Sequence, residues 1–151
     1  MSIEIKYDNN ILKALEKALK RIPSVKVGVL QQNNSREDGK TNAEIGAYHE
    51  YGTKDLPIRS FLRMPLMNHF NQYLQNAGAL DEEALKKIVD EKSALQFVAK
   101  MGFVAEEVVD DAFNTGGFGE WPSSDMRYKK NKQTLIETRQ LQRSIASEVV
   151  E

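Results

Sequence analysis

Near the start of the chain, apolar positions recur with the spacing of a helix. Ile11, Leu12, Leu15, Ala18, Leu19 and Ile22 fall on one side, and Lys13, Lys17 and Lys20 cover the other. This predicts an amphipathic helix. Asp8-Asn9-Asn10 offers capping oxygens, and Pro23 ends the helix near Arg21 or Ile22. The period then drops to two. Val25-Lys26-Val27-Gly28-Val29-Leu30 alternates as a strand with one buried face does. Gly28 removes a side chain, which predicts close approach of another backbone.

Residues 31–42 are polar and turn-rich, and read as a hairpin tip or a loop projecting from the body. Thr41 or Asn42 is placed to cap a short helix through residues 43–50, with Gly52 as its C-terminal glycine. After a connector containing Pro57, a helix begins between Ser60 and Pro65 and runs to about Asn76. Asp81 caps a further segment over 82–92. Ser93 restarts a long helix over 94–113, whose stripe includes Phe97, Val98, Met101, Val104, Ala105, Val108, Ala112 and Phe113. Periodicity fails at Asn114 and across the glycines and Trp121-Pro122 that follow. Leu135, Ile136, Leu141 and Ile145 predict a helical turn or two, and residues 144–150 alternate as a terminal strand. The expected fold is α+β. A small, mostly antiparallel sheet packs against an N-terminal helix and a long central helix. Residues 1–151 form a single domain, with flexible loops near 31–42 and 114–133.

Composition narrows the chemistry. The chain of 151 residues is 40% hydrophobic and 28% charged, with a net charge of −1, which fits a globular domain and not a generally basic nucleic-acid coat. With no cysteine, thiolate metal sites, disulfides and a cysteine nucleophile are excluded. His49-Glu50 opens like a zinc-protease helix motif, but Thr53 stands where the second histidine is needed. The bland reading is a partly buried His49 and a capping or ion-paired Glu50. The glycines at 116, 117 and 119 lead into Glu120-Trp121-Pro122, not into the Gly-Lys-Ser/Thr of a phosphate loop. Glu82-Glu83, Glu106-Glu107 and Asp110-Asp111 are adjacent on helices and diverge, so they do not converge on a substrate. No enzyme, metal or cofactor is expected. No apolar run reaches membrane-span length, and the N-terminus has no apolar signal core.

Charge is segregated. Residues 81–111 hold nine acids and four lysines, whereas residues 127–143 hold Arg127, Lys129, Lys130, Lys132, Arg139 and Arg143 against Glu137. The two blocks suit each other within a subunit or across a subunit boundary. The basic block also suits an acidic partner or DNA. Between them in kind stands a stretch rich in aromatics, Arg and Pro, from Tyr48 to Leu66. Such residues dominate interfaces. Tyr48, Phe61 and Leu62 are also candidates for the core. Arg59 and Arg63, four apart on one expected helix face, suit contact with a neighbouring subunit's acidic helix.

Two phrases carry a resemblance. The first is the strand Val25–Leu30, then Asn42-Ala-Glu-Ile-Gly-Ala-Tyr-His-Glu-Tyr-Gly-Thr53 and Pro57-Ile-Arg-Ser-Phe-Leu-Arg63. The second is Trp121-Pro-Ser-Ser, the basic stretch 127–132, and Leu135-Ile-Glu-Thr-Arg-Gln-Leu-Gln-Arg-Ser-Ile145. Together they resemble the tail-completion and neck proteins of tailed bacteriophages, which include the minor tail protein Z and virion-morphogenesis families. Tyr51 stands where that pattern has Phe, Ser60 where it has Pro, Glu137 where it has Asp, and Arg139 where it has Gly. The resemblance covers about residues 24–66 and 118–150. It implies a non-enzymatic virion part, assembled in the host cytoplasm, that completes the head-proximal end of the tail as a ring, often sixfold, around the DNA channel. Implied partners are further copies of itself, a head-side neck or connector protein, a tail terminator or tube protein, and DNA passing through the channel. The interface residues expected on this reading are His49, Glu50, Tyr51, Gly52, Thr53, Pro57, Arg59, Phe61, Arg63 and Trp121. A tail terminator and a small nucleic-acid-binding module using residues 127–143 are the alternatives.

Overall fold

The structure, a computed structural model, describes residues 23–36, 39–123 and 139–150. The expected helix at 8–22, and its packing on the sheet, lie outside these residues. So do Arg127, Lys129, Lys130 and Lys132. The described chain runs β1 (Ser24–Val29), a 3-10 turn (Gln31–Asn33), α1 (Asn42–Tyr51), α2 (Arg63–Asn76), α3 (Glu82–Lys86), α4 (Glu91–Thr115), α5 (Gln140–Arg143) and β2 (Ile145–Val150). It is an α+β fold in which a long helix packs against a small antiparallel sheet, as the pattern predicts.

The sheet is a two-stranded ribbon with Ser24 opposite Val150 and Val29 opposite Ile145. An isolated hairpin is marginal in water, so one face must be buried. Val25, Val27 and Val29 share a face with their partners Val149, Ser147 and Ile145, and that face lies on α4. The approach is close because α4 carries Gly102 there. A Cβ on Gly102 would come within 2.9 Å of Val25 and 2.7 Å of the Ser147 hydroxyl. On the other face, the space left by Gly28 is met by the Leu62 side chain, 3.6 Å from an added Cβ, and not by the backbone expected there.

Helix ends follow local chemistry. Thr41 caps α1 in a reciprocal box with Glu44, whose carboxyl is held below the ordinary range by the Thr41 amide and hydroxyl. The stretch expected over 82–92 stops at Lys86, and the Asp81 side chain makes no cap bond. Asp90 starts α4 instead, boxed with Ser93, so Ser93 is the third helical residue and not the cap. The stem of the 31–42 loop is fastened down. Asn42 donates to the Asn33 carbonyl, Arg36 donates to the Asn42 side chain, and Ala43 donates to the Asn34 side chain. Ser35 bridges to Thr41.

Two apolar clusters form the core. Phe61, Val109, Phe113 and Leu141 make one, and Leu74, Ala79 and Val104 make the other, further along the α2–α4 pair. Among the described residues no helix is long and apolar enough to cross a membrane.

Candidate functional site

Glu50 ends up buried at the last turn of α1, where its carboxylate faces the first turn of α2. One oxygen accepts from the Ser60 hydroxyl (2.6 Å) and the Arg63 amide (3.1 Å). The other accepts from the amides of Phe61 (3.0 Å) and Leu62 (3.1 Å). These amides lack helical partners because they open a helix, and the helix dipole favours an anion there. Leu62 precedes α2 with no capping side chain of its own, so Glu50 caps the helix from a distance. Ser60 adds a bond from the Met64 amide to its hydroxyl. Each Glu50 oxygen accepts two hydrogen bonds, so the acceptor capacity of the carboxylate is used within the chain. Its work is to fix the connector between α1 and α2. The structure bears out both readings of Glu50, as a cap on α2 and as an ion partner of Arg63 at 3.8 Å.

Arg59 is the second buried charge, at 6% exposure. It is not on a helix face with Arg63, as the four-residue spacing predicts. Arg59 lies in the connector, and Arg63 is the first residue of α2 with a half-exposed side chain, 3.8 Å from Glu50. The Arg59 guanidinium donates to the carbonyls of Pro122 (3.1 Å) and Ser123 (3.0 Å). Burial lowers it from its ordinary value, and it remains a cation at neutral pH. Trp121 donates its indole N–H to the Ser60 carbonyl (3.0 Å) and meets Phe113 edge to face, 5.8 Å between centroids. The indole lies over Gly117. An added Cβ there would stand 2.2 Å from the ring, and φ is +70°, so glycine is required on both counts. Within the loop expected to be flexible over 114–133, residues 116–121 are therefore tied to the body.

These contacts correct several expected roles. Phe61 is 3% exposed and stacks at 5.2 Å on Phe113, so it is core and not interface surface. Arg59 and Trp121 join parts of one chain. Tyr48, a core candidate, is exposed. His49 is partly buried, and its carbonyl accepts from the Arg59 amide. Tyr51, Gly52, Thr53 and Pro57 form an ordered projection. Gly52 ends α1, the Thr53 amide donates to the Leu56 carbonyl, and the Thr53 hydroxyl accepts from the amides of Asp55 and Leu56. Its exposed apolar residues are Tyr51 (68%), Ile58 (58%) and Leu56 (38%). Leu56 and Ile58 were not singled out by sequence. The signal for them is two aliphatic residues flanking a proline between charged positions.

Of the six cations of the basic block, only Arg139 and Arg143 lie among the described residues. Asp110 accepts from Gln142 and Asn114, and Asp111 accepts from the Tyr73 hydroxyl. Arg139 and Arg143 are exposed and form no ion pair with the α4 acids. Arg139 has left-handed backbone (φ +55°, ψ +10°), the conformation for which a glycine is the easy choice. Among the described residues no three acidic or histidine side chains are grouped to hold a metal ion. No protein-family model, curated protein or solved structure matches this chain.

Proposed function

We propose that this chain is a structural part of a tailed-phage virion. On this reading it completes the head-proximal end of the tail and joins it to the head as a ring around the DNA channel. One observation carries the reading beyond the sequence resemblance. The two separated phrases meet in space, Arg59 and Ser60 of the first holding Trp121, Pro122 and Ser123 of the second. Residues far apart in sequence and linked by direct bonds behave as one motif. Arg139 adds support, because the backbone is left-handed where the resembled phrase has Gly. A rigid projection carrying exposed Tyr51, Leu56 and Ile58 suits an assembly subunit, since soluble monomers seldom expose grouped apolar side chains without a partner for them.

The test is electron microscopy of particles made with a null allele of this gene. Full heads beside free tails of normal length are expected. Overlong tails would make the protein a terminator. Normal infectious particles would overturn the virion reading and direct attention to salt-dependent nucleic-acid binding.

A further inference from the structure

The chain carries two surfaces of opposite shape. One is the projection between α1 and α2. Its backbone is held by Thr53 and by the bond from the Arg59 amide to the His49 carbonyl, and Pro57 stiffens it. A pre-ordered segment loses little entropy on docking. The other is a groove of about 290 Å³ where α4 passes β2 and α5. Phe103 and Ile145 give it apolar walls, Gln142 closes one side, and Glu106, Glu107 and Asp110 supply its charge. Phe103 is 67% exposed on a helix whose neighbours Gly102, Val104 and Ala105 are buried. It lies on the outer face of α4, in line with exposed Gln96, Lys100, Glu107 and Asp110.

We propose that the projection of one copy seats in this groove of a second copy, Leu56 and Ile58 lying against Phe103 and Ile145. The inference rests on the ring reading above and names the faces that would build the ring. Charge supports the pairing. The exposed charges around the projection are Lys54, Asp55 and Arg63, net positive, and the described residues that line the groove include three carboxylates and no cation. Glu106 and Glu107 form no ion pair among the described residues. Because the two faces differ, the contact is heterologous. Each copy offers its projection to one neighbour and its groove to the other, and such contacts build a ring where the rotation from copy to copy closes.

The absence of cysteine makes the proposal directly testable. The full chain carrying Ile58→Cys and Phe103→Cys together is oxidised mildly at high protein concentration, with circular dichroism as the check on folding. A ladder of disulfide-linked multimers is the expected result. A mixture of the two single variants should stop at a covalent dimer, because each copy then brings only one reactive face. A ladder no stronger than that of an Ile58→Cys, Lys87→Cys control overturns the proposal. So does efficient cross-linking of Ile58→Cys with itself, which would mark a symmetric contact between projections. The two readings fail separately. A ladder with normal null-allele particles removes the tail role and keeps the interface. Free tails without a ladder keep the role and remove this interface.

Discussion

At one end of the α2–α4 pair, Phe61, Val109, Phe113 and Leu141 pack beside buried Glu50, Arg59 and Ser60. At the other end, Leu74, Ala79 and Val104 pack with Phe70, Tyr73 and Met101, and no charged residue among the described ones is buried with them. Both clusters remove apolar surface from water. They differ in how tightly they specify geometry. Apolar contacts tolerate changes of shape that preserve volume. A buried carboxylate with four donors does not, because each donor must stay within hydrogen-bond distance or the charge is left uncompensated. The polar end fixes the path of residues 48–63, and with it the direction of the exposed projection. The apolar end holds two helices together and leaves their outer surfaces free to vary.

Removing the carboxylate is the strongest way to break this contrast. Glu50→Ala should lose about 4 kcal/mol of stability, since it orphans the buried Phe61 amide, the part-buried amides of Leu62 and Arg63, and the Ser60 hydroxyl. Glu50→Gln keeps the shape but turns an amide N–H₂ toward donors, and should lose about 2 kcal/mol. Urea denaturation measures both, and hydrogen exchange should locate the loosened amides at residues 61–63. Leu74→Ala at the other end should lose about 3 kcal/mol by leaving a cavity, without faster exchange at 61–63. If Glu50→Ala costs no more than an exposed change such as Glu83→Ala, the polar end does not specify anything.

The same contrast explains what was legible in the sequence. Helix and strand periods were visible because burial imposes them one element at a time. The β1 and β2 alternation and the α4 stripe follow that rule. The Thr41 cap was visible because its chemistry is local. The Glu50 hub was only half visible. A capping role could be named, but its recipient amides lie 11 to 13 positions away and no period marks them. The Arg59 bonds cross 63 and 64 positions, so the spacing to Arg63 pointed to a shared helix face instead. Trp121 was marked by its rarity, and its partners follow only from the fold. The groove beside Phe103 joins three elements and had no sequence signal beyond the acids on α4.

Arg59 allows the hub to be sharpened. Arg59→Lys keeps the charge but loses the fork that reaches two carbonyls at once. A loss of about 2 kcal/mol is expected, from one charge-assisted hydrogen bond given up at a part-buried carbonyl. The single tryptophan provides a local readout, because Trp121 adjoins the carbonyls that Arg59 holds. Its emission should shift to the red in Arg59→Lys and stay in place in Leu74→Ala. A red shift in both would mean that the two ends are not independent.

The smallest effect tests the apolar end, where Tyr73 supplies a polar link between the helices, beside the bond from Lys100 to the Ala77 carbonyl at the end of α2. The Tyr73 hydroxyl donates to Asp111, and that bond, helped by burial and the acidic surroundings, pushes the phenol up to about 12. An ordinary tyrosine, and so the unfolded chain, titrates near 10. Between these values the folded protein keeps a proton that the unfolded chain releases. Rising pH therefore favours unfolding. The contribution is complete below about pH 10 and is lost as pH rises through about 12. Tyr73→Phe should lose about 1 kcal/mol at neutral pH, with Asp111 remaining solvated at the rim of the cluster. Its stability should then fall less steeply than the wild type's above about pH 10. Equal slopes in urea titrations of the two proteins across that window would show that the hydroxyl does not link α2 to α4. The apolar cluster would then hold that end without help from the Tyr73 hydroxyl.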